Sequence, residues 1–362
     1  MRTAISSFIR RFHARKTFRN TAPLRIRVSC VFISLLPRVI TVFLISSCIL
    51  PLLSAETPSR LKNAGVSGAR PGVELKKTTD TIEVLVGGQP FTSYYFRGFN
   101  KPVYFPLRTA SGVVVTRSWP MTPDVPGEAH DHPHQKGLWL THGSVNGVDF
   151  WSEDRNSGKI LHREFLEIKE GDSIGLLKSI NDWVMPDGKK IVEELREVRI
   201  YSKTEPRILD FDFRLTAVNG PVVFGDTKEG SFGMRLAQAF VEGTGGRIEN
   251  SSGSVGEANC WGKRAEWTDF TAQINGQTVG VAVFNHPASF RYPTYWHVRG
   301  YTLFAANPFG WHDFLKDPAK DGSYHLEAGQ SITLRYRVYI HAGSTEDARI
   351  AGQYQAYVQE VK

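Results

Sequence analysis

Ile208-Leu209-Asp210-Phe211-Asp212-Phe213-Arg214-Leu215-Thr216-Ala217-Val218 decides the fold. Leu209, Phe211, Phe213 and Leu215 fall on one side of an extended chain, and Asp210, Asp212 and Arg214 on the other. That period of two belongs to a sheet with one face buried. Upstream, residues 160–169, 174–184 and 191–201 predict three more strands, the last broken at Glu205-Pro206. Gly171-Asp172 and Pro186-Asp187-Gly188 are the turns between them.

The pattern continues in both directions. Ile82, Val84 and Val86, then Gly87-Gly88, then Phe91, Ser93 and Tyr95 read as a hairpin. Short strands are expected near 231–241, 279–284, 301–306 and 331–341, and one helix over 345–361 with Ser344 as its N-cap. Aromatic residues make up 12%, and 33 Gly and 19 Pro supply many tight turns. No βαβ alternation is present, which disfavours a doubly wound sheet. The expected architecture is mainly β: one large antiparallel two-sheet sandwich over 73–362, with a short C-terminal helix.

The net charge of +8 suggests a nucleic-acid or anionic-membrane partner until it is located. Nine Lys and Arg and no acidic residue precede Glu56, leaving 35 basic against 36 acidic residues from 56 onward. The body is neutral, and a nucleic-acid footprint is not expected. The basic stretch leads into the uncharged residues 39–53, with Ser54 and Ala55 before Glu56. This layout predicts a signal peptide over 1–55, hence a secreted or periplasmic protein. The rivals are an uncleaved anchor, which alone would touch a membrane, and a lipoprotein attached at Cys48. The long basic region also leaves room for a later translation start. Residues 56–72, rich in Ser, Gly, Pro and Lys, read as a tether. After the leader only Cys260 remains, so no internal disulfide is expected.

Histidine marks the chemistry. His130, His132, His134 and His142 fall in 13 positions, with Asp131, Pro133 and Lys136 among them. Pro133 lacks a backbone donor and points to a loop or an edge. Asp149 beside Trp151 offers a carboxylate and an aromatic face to a sugar, although such aromatics are more often core. The stretch from Asp226 to Arg235 places Lys228 and Glu229 side by side, a pair suited to acid–base work or to a solvated turn. His286, then Trp296, His297 and Arg299, then Asn307, interleave aromatic and polar groups as a carbohydrate cleft would. Nucleophile-elbow, dinucleotide and Walker patterns are absent.

These segments together resemble the PmoA-like family of secreted proteins. The resemblance covers most of 80–345. It rests on Lys101-Pro102-Val103-Tyr104-Phe105-Pro106-Leu107, Asp131-His132-Pro133-His134, Lys136-Gly137-Leu138-Trp139, His142-Gly143 and residues 146–151. Residues 226–230, 261–267, 292–299 and 307–310 complete it. Where the family has a second His and an Arg after the Pro-His, this chain has Gln135-Lys136. The family label names a methane oxygenase, whose true subunit spans the membrane several times; this chain has at most one such segment, so the label is read as a misnomer. The pattern is also similar to galactose-mutarotase-like supersandwich proteins, which implies a carbohydrate site.

The leading expectation is an extracytoplasmic carbohydrate-active enzyme, an epimerase, lyase or hydrolase. His132, His134, His142, Glu229, His286 and His297 are its candidate acid–base groups. Lys136, Asp149, Trp151, Lys228, Arg235, Trp296, Arg299 and Asn307 are its candidate substrate contacts. No cofactor is expected. A divalent metal enters only under a second reading, a metal enzyme with ligands among His130, His132, His134 and His142. A third reading is glycan binding without turnover.

Overall fold

The computed structural model describes residues 72–122 and 125–360, and the leader and anchor expectations, with all of the tether but Gly72, fall outside them. One eight-stranded sheet runs, edge to edge, through Val73–Lys77 (β1), Thr81–Val86 (β2), Gln89–Tyr95 (β3), Val103–Phe105 (β4), Leu138–His142 (β5), Gly230–Arg235 (β11), Leu303–Asn307 (β16) and Tyr295–Val298 (β15). The other runs through Arg247–Asn250 (β12), Trp267–Ile274 (β13), Gln277–Asn285 (β14), Ser331–Ala342 (β18), Arg207–Ala217 (β9), Lys190–Tyr201 (β8), Ile174–Val184 (β7) and Lys159–Lys169 (β6). All of these pairings are antiparallel. Val222–Phe224 (β10) and Tyr324–Leu326 (β17) form a separate two-stranded ribbon.

The alternation in β9 does what its period requires. Leu209, Phe211, Phe213, Leu215 and Ala217 enter the core between the sheets, where Phe211 meets Tyr104 edge-on and Phe232. Strand β8 puts Val192, Val198 and Ile200 on the same inner side, but also Glu194 and Arg196. Burying two charges is tolerated because each is paired. Arg196 Nε donates to Glu194 (2.6 Å), and Asn181 and Trp183 Nε1 supply two more donors to that carboxylate.

The far side of β9 is partly covered too. Glu257–Cys260 (α1) and Trp311–Leu315 (α2) are single turns, but Ile350–Glu360 (α3) lies on the outer face of the second sheet. Its Ile350, Tyr354 and Tyr357 pack with Ile208, Trp267, Phe284 and Tyr339. Arg337 joins Asp210 (2.6 Å), the Tyr201 hydroxyl (3.1 Å) and Glu360 (3.0 Å) beneath it. The helix is shorter than its apolar pattern predicts. Ser344 and Asp347 bond each other in a separate turn, and Arg349 at φ 52° is left-handed, so no helix runs through it.

Candidate functional site

The central strands of the first sheet have two occupied faces. Leu138, Leu140, Phe232, Met234, Phe304 and Ala306 point into the core. Trp139, Leu303 and Ala305 point outward, where Trp139 meets Trp151 edge-on at 5.5 Å. Gly233 lies opposite Trp139 and Ala305 in the register. A Cβ at Gly233 would stand 3.0 Å from the indole, so its absence gives the ring room beside the strand. Gly137, at φ 56°, turns the incoming loop so closely over β4 that a Cβ there would collide with the Tyr104 carbonyl.

That loop, residues 128–136, crosses the outer face and is held by through-space charge pairs. Arg235, on the outward side of β11, donates to Asp131 (3.1 Å) and Gln135, and Arg117 donates to the same Asp131. Burial works to raise the Asp131 carboxyl, but Arg235, His132 and Arg117 overcome it and hold it at about 2. Asp131 Oδ2 lies 2.7 Å from His132 Nδ1. A carboxylate only accepts, so His132 Nδ1 carries the proton and Nε2 is left as the second functional atom. His132 stacks on Tyr301 (5.6 Å, 6°) and has φ 45°, a backbone that a non-glycine residue seldom adopts.

A second cluster mirrors the first. Lys101 and Lys136, 2% and 7% exposed, share the carboxylate of Glu153, Lys101 at 2.7 Å. His134 lies between the clusters, its ring 5.7 Å from His132 and 6.3 Å from Trp151. Burial, then the charges of Lys101 and His132, push His134 down to about 4, so it is neutral at pH 7.

The third segment is the bend before β11. His297 Nδ1 and Asn307 Nδ2 both donate to the Lys228 carbonyl (2.8 and 3.0 Å), and Lys228 N–H donates to Asp313. So pinned, Lys228 and Glu229 reach out with their ammonium and carboxylate 3.7 Å apart. Burial raises the Glu229 carboxyl, against the lowering pull of Lys228 and His132. Arg299 pairs with Glu257 (3.0 Å) and lies over Tyr301.

The site thus gathers His132, His134, Lys136, Lys228, Glu229, Arg235 and Arg299. Other expected members play different parts. Asp149 spends its carboxylate on the Trp151 and Ser152 N–H groups and the Ser152 hydroxyl, shaping the 149–152 turn. Trp151 is 3% exposed and is a floor beneath His134, not an open sugar platform. Asn307 and His297 support the 226–229 bend, and burial pushes His297 down to about 4.

Three residues are placed elsewhere. His142 turns inward against Phe309, giving Nε2–H to the Gly225 carbonyl (2.8 Å). Trp296 is a core residue bonded to the Ala265 carbonyl. His286 follows β14 in the other sheet and meets Tyr357 of α3 edge-on. The four histidines of the metal reading diverge, since His130 stacks on Trp119 (4.2 Å) and His142 lies in the core. Among the described residues no three His, Cys, Asp or Glu side chains are grouped to hold a metal ion.

Several participants were not foreseen as such: Lys101, Arg117, Asp131, Glu153 and Tyr301. Asp131 and Lys101 lie within conspicuous segments, but nothing local to Arg117 or Glu153 marks their roles, which arise from partners 14 to 52 positions away.

A family model described as a family of unknown function, DUF6807, matches residues 81–355. The chain belongs to this family. No curated protein matches the chain. Among solved structures, this DUF6807 protein is similar to a galactose mutarotase-like protein from Clostridium acetobutylicum, at 12% identity and TM-score 0.40, over 75% of this chain and 98% of that one. A galactose mutarotase related enzyme from Lactobacillus acidophilus (10%, TM-score 0.32) covers 75% and 98%. A galactose mutarotase-like protein from Lactobacillus casei (10%, TM-score 0.34) covers 75% and 100%.

Proposed function

We propose that the outer face of the first sheet is the active site of a carbohydrate-active enzyme, with His132 and Glu229 as its acid–base pair. The observation that carries this is their complementary setting on one partly exposed patch, at 41% and 36% side-chain exposure. His132 is oriented from behind by a carboxylate that stays ionised, which leaves Nε2 to take a proton. Glu229 is biased by burial toward its protonated form and gives one. The two lie within electrostatic reach of each other and of Tyr301. Neutral His134 stands behind them as a hydrogen-bonding group. Arg299 and Lys228 hold substrate oxygens at the rim. Epimerisation, elimination and hydrolysis all use such a pair. The protein acts outside the cytoplasm, with residues 1–55 as its leader or anchor. The oxygenase name attached to the PmoA-like resemblance is not adopted, since His130 on Trp119 and His142 in the core lie apart from His132 and His134.

Purified protein should be incubated with a panel of mono- and oligosaccharides and followed by NMR for anomer exchange, new reducing ends and unsaturated products. One substrate should turn over, and His132→Ala and Glu229→Gln should each lower its kcat by about 10²-fold or more. Turnover undiminished in both variants would remove this pair from the chemistry. Saturable binding with no turnover would make the protein a glycan-binding module.

A further inference from the structure

A cavity of about 310 Å³ opens beside the site, along edge strand β15. Ligand sites run from roughly 300 to 1,000 Å³, so it has room for one sugar ring. The register of β15 places it. Trp296 and Val298 point into the core, so Tyr295 and His297 point outward. His297 stands opposite Ala305, and Ala305 opposite Gly233, in the row that carries Trp139. Tyr295 lines the cavity, which therefore shares the outer face with the site, two strands or about 10 Å from β11.

The cavity walls are also the supports of the site. Trp261 and Phe314 line the cavity and meet His297 edge-on (6.3 and 6.2 Å), the same histidine that pins the Lys228 carbonyl. Helix α2 gives Asp313 to the Lys228 N–H and Phe314 to the cavity. Helix α1 gives Glu257 to Arg299 and Ala258 to the cavity. The segment between the helices is fixed along β15. Trp296 N–H donates to the Lys263 carbonyl (3.1 Å), and Arg264 spends its guanidinium on the Pro293 and Tyr292 carbonyls (2.7 and 3.0 Å). The lining mixes aromatic rings with exposed Lys263 and Lys316. A pyranose has an apolar C–H face and a rim of hydroxyls, and such a lining offers a partner to each.

Resting on the acid–base reading above, we infer that the substrate is an oligosaccharide or glycan chain, not a free monosaccharide, and that this cavity seats the sugar unit next to the reacting one. The reacting unit lies at His132 and Glu229. Its neighbour runs past Lys228 and Arg299 onto Trp261 and Tyr295, where Lys263 and Lys316 donate to its hydroxyls. Binding energy gathered there positions the reacting unit, as contacts remote from the chemistry do.

The test measures affinity by calorimetry for galactose, glucose and galacturonate, each as monomer, dimer, trimer and tetramer. In at least one series affinity should rise about tenfold or more from monomer to tetramer. Ala258→Trp fills the cavity from an exposed position and should remove that rise while leaving monomer affinity within about twofold. Its melting temperature reports the fold. Lys263→Ala with Lys316→Ala should reduce the same rise, and carries the test if Ala258→Trp fails to fold. Monomer bound as tightly as tetramer in every series, or no binding in any, would overturn the inference. Turnover in the NMR panel that His132→Ala abolishes would leave the acid–base reading standing in that case. A length dependence unchanged in the folded variant would also overturn it. So would an equal loss of monomer and tetramer affinity, since the cavity would then hold no second unit.

Discussion

His134, His142 and His297 are each pushed down to about 4 because burial penalises the charged ring. In the unfolded chain these rings titrate near ~6.5. Between those two values the unfolded chain binds more protons, so stability rises with pH through the window and is lost as pH falls from about 6.5 toward 4. Glu229 and Asp212, whose carboxyls burial raises, act in the opposite sense near the carboxylate range. His341, where burial is overcome by its Asp269 partner, likewise acts in the opposite sense and loses its contribution as pH rises above about 6.5. Thermal midpoints should therefore drop as pH falls below that value. Fully buried His142 contributes roughly 3 kcal/mol of that loss. His142→Gln keeps a donor for the Gly225 carbonyl and should flatten the slope. The same acid slope in the variant would show that His142 is not its source.

At the scale of elements, β8 illustrates how a strand's pattern can mislead. Its alternation marks the inner face correctly, yet Glu194 and Arg196 on that face are types that residue chemistry assigns to solvent. Only the partners Asn181 and Trp183, brought across from β7, make their burial intelligible. Glu194→Leu leaves Arg196 charged and unpaired in the core, and should cost roughly 3–5 kcal/mol in urea unfolding. Glu194→Leu with Arg196→Leu should recover most of it, and a single-variant loss under about 1 kcal/mol would mean the pair is dispensable. The strands that carry the site were harder to read for a related reason. Leu138, Trp139, Leu140, Thr141 and His142 are all buried, as are the five residues of β16. With loops covering the outer face, no alternation of polar and apolar residues survives in β5 to announce it, whereas β11 and β16 overlap the short strands expected near 231–241 and 301–306. In β9 the outer face is partly open, and its period is plain.

Across the whole molecule, the site and the core are two sides of one sheet. Strands β5 and β11 present Trp139 and Arg235 outward while Leu140 and Phe232 close the interior against β9. Edge strand β6 is different, with Leu161 and Leu166 44% and 52% exposed. In native-state hydrogen exchange, amides of β5, β11 and β9 should open only with global unfolding, and those of β6 earlier. Equal protection in β6 and β9, or faster exchange in β5, would contradict this division. The sequence by itself determined the antiparallel two-sheet class, most of the long strands, the neutral body and the three segments rich in chemistry. Those depend on local periods, turn residues and composition, which a single chain displays directly. Only the tertiary structure decided which side chains meet. It sent His142, His286 and Trp296 away from the site and brought Arg117, Arg235 and Asp131, and Lys101, Lys136 and Glu153, together. Such pairings span up to about a hundred positions and depend on register and loop path, for which no local pattern exists.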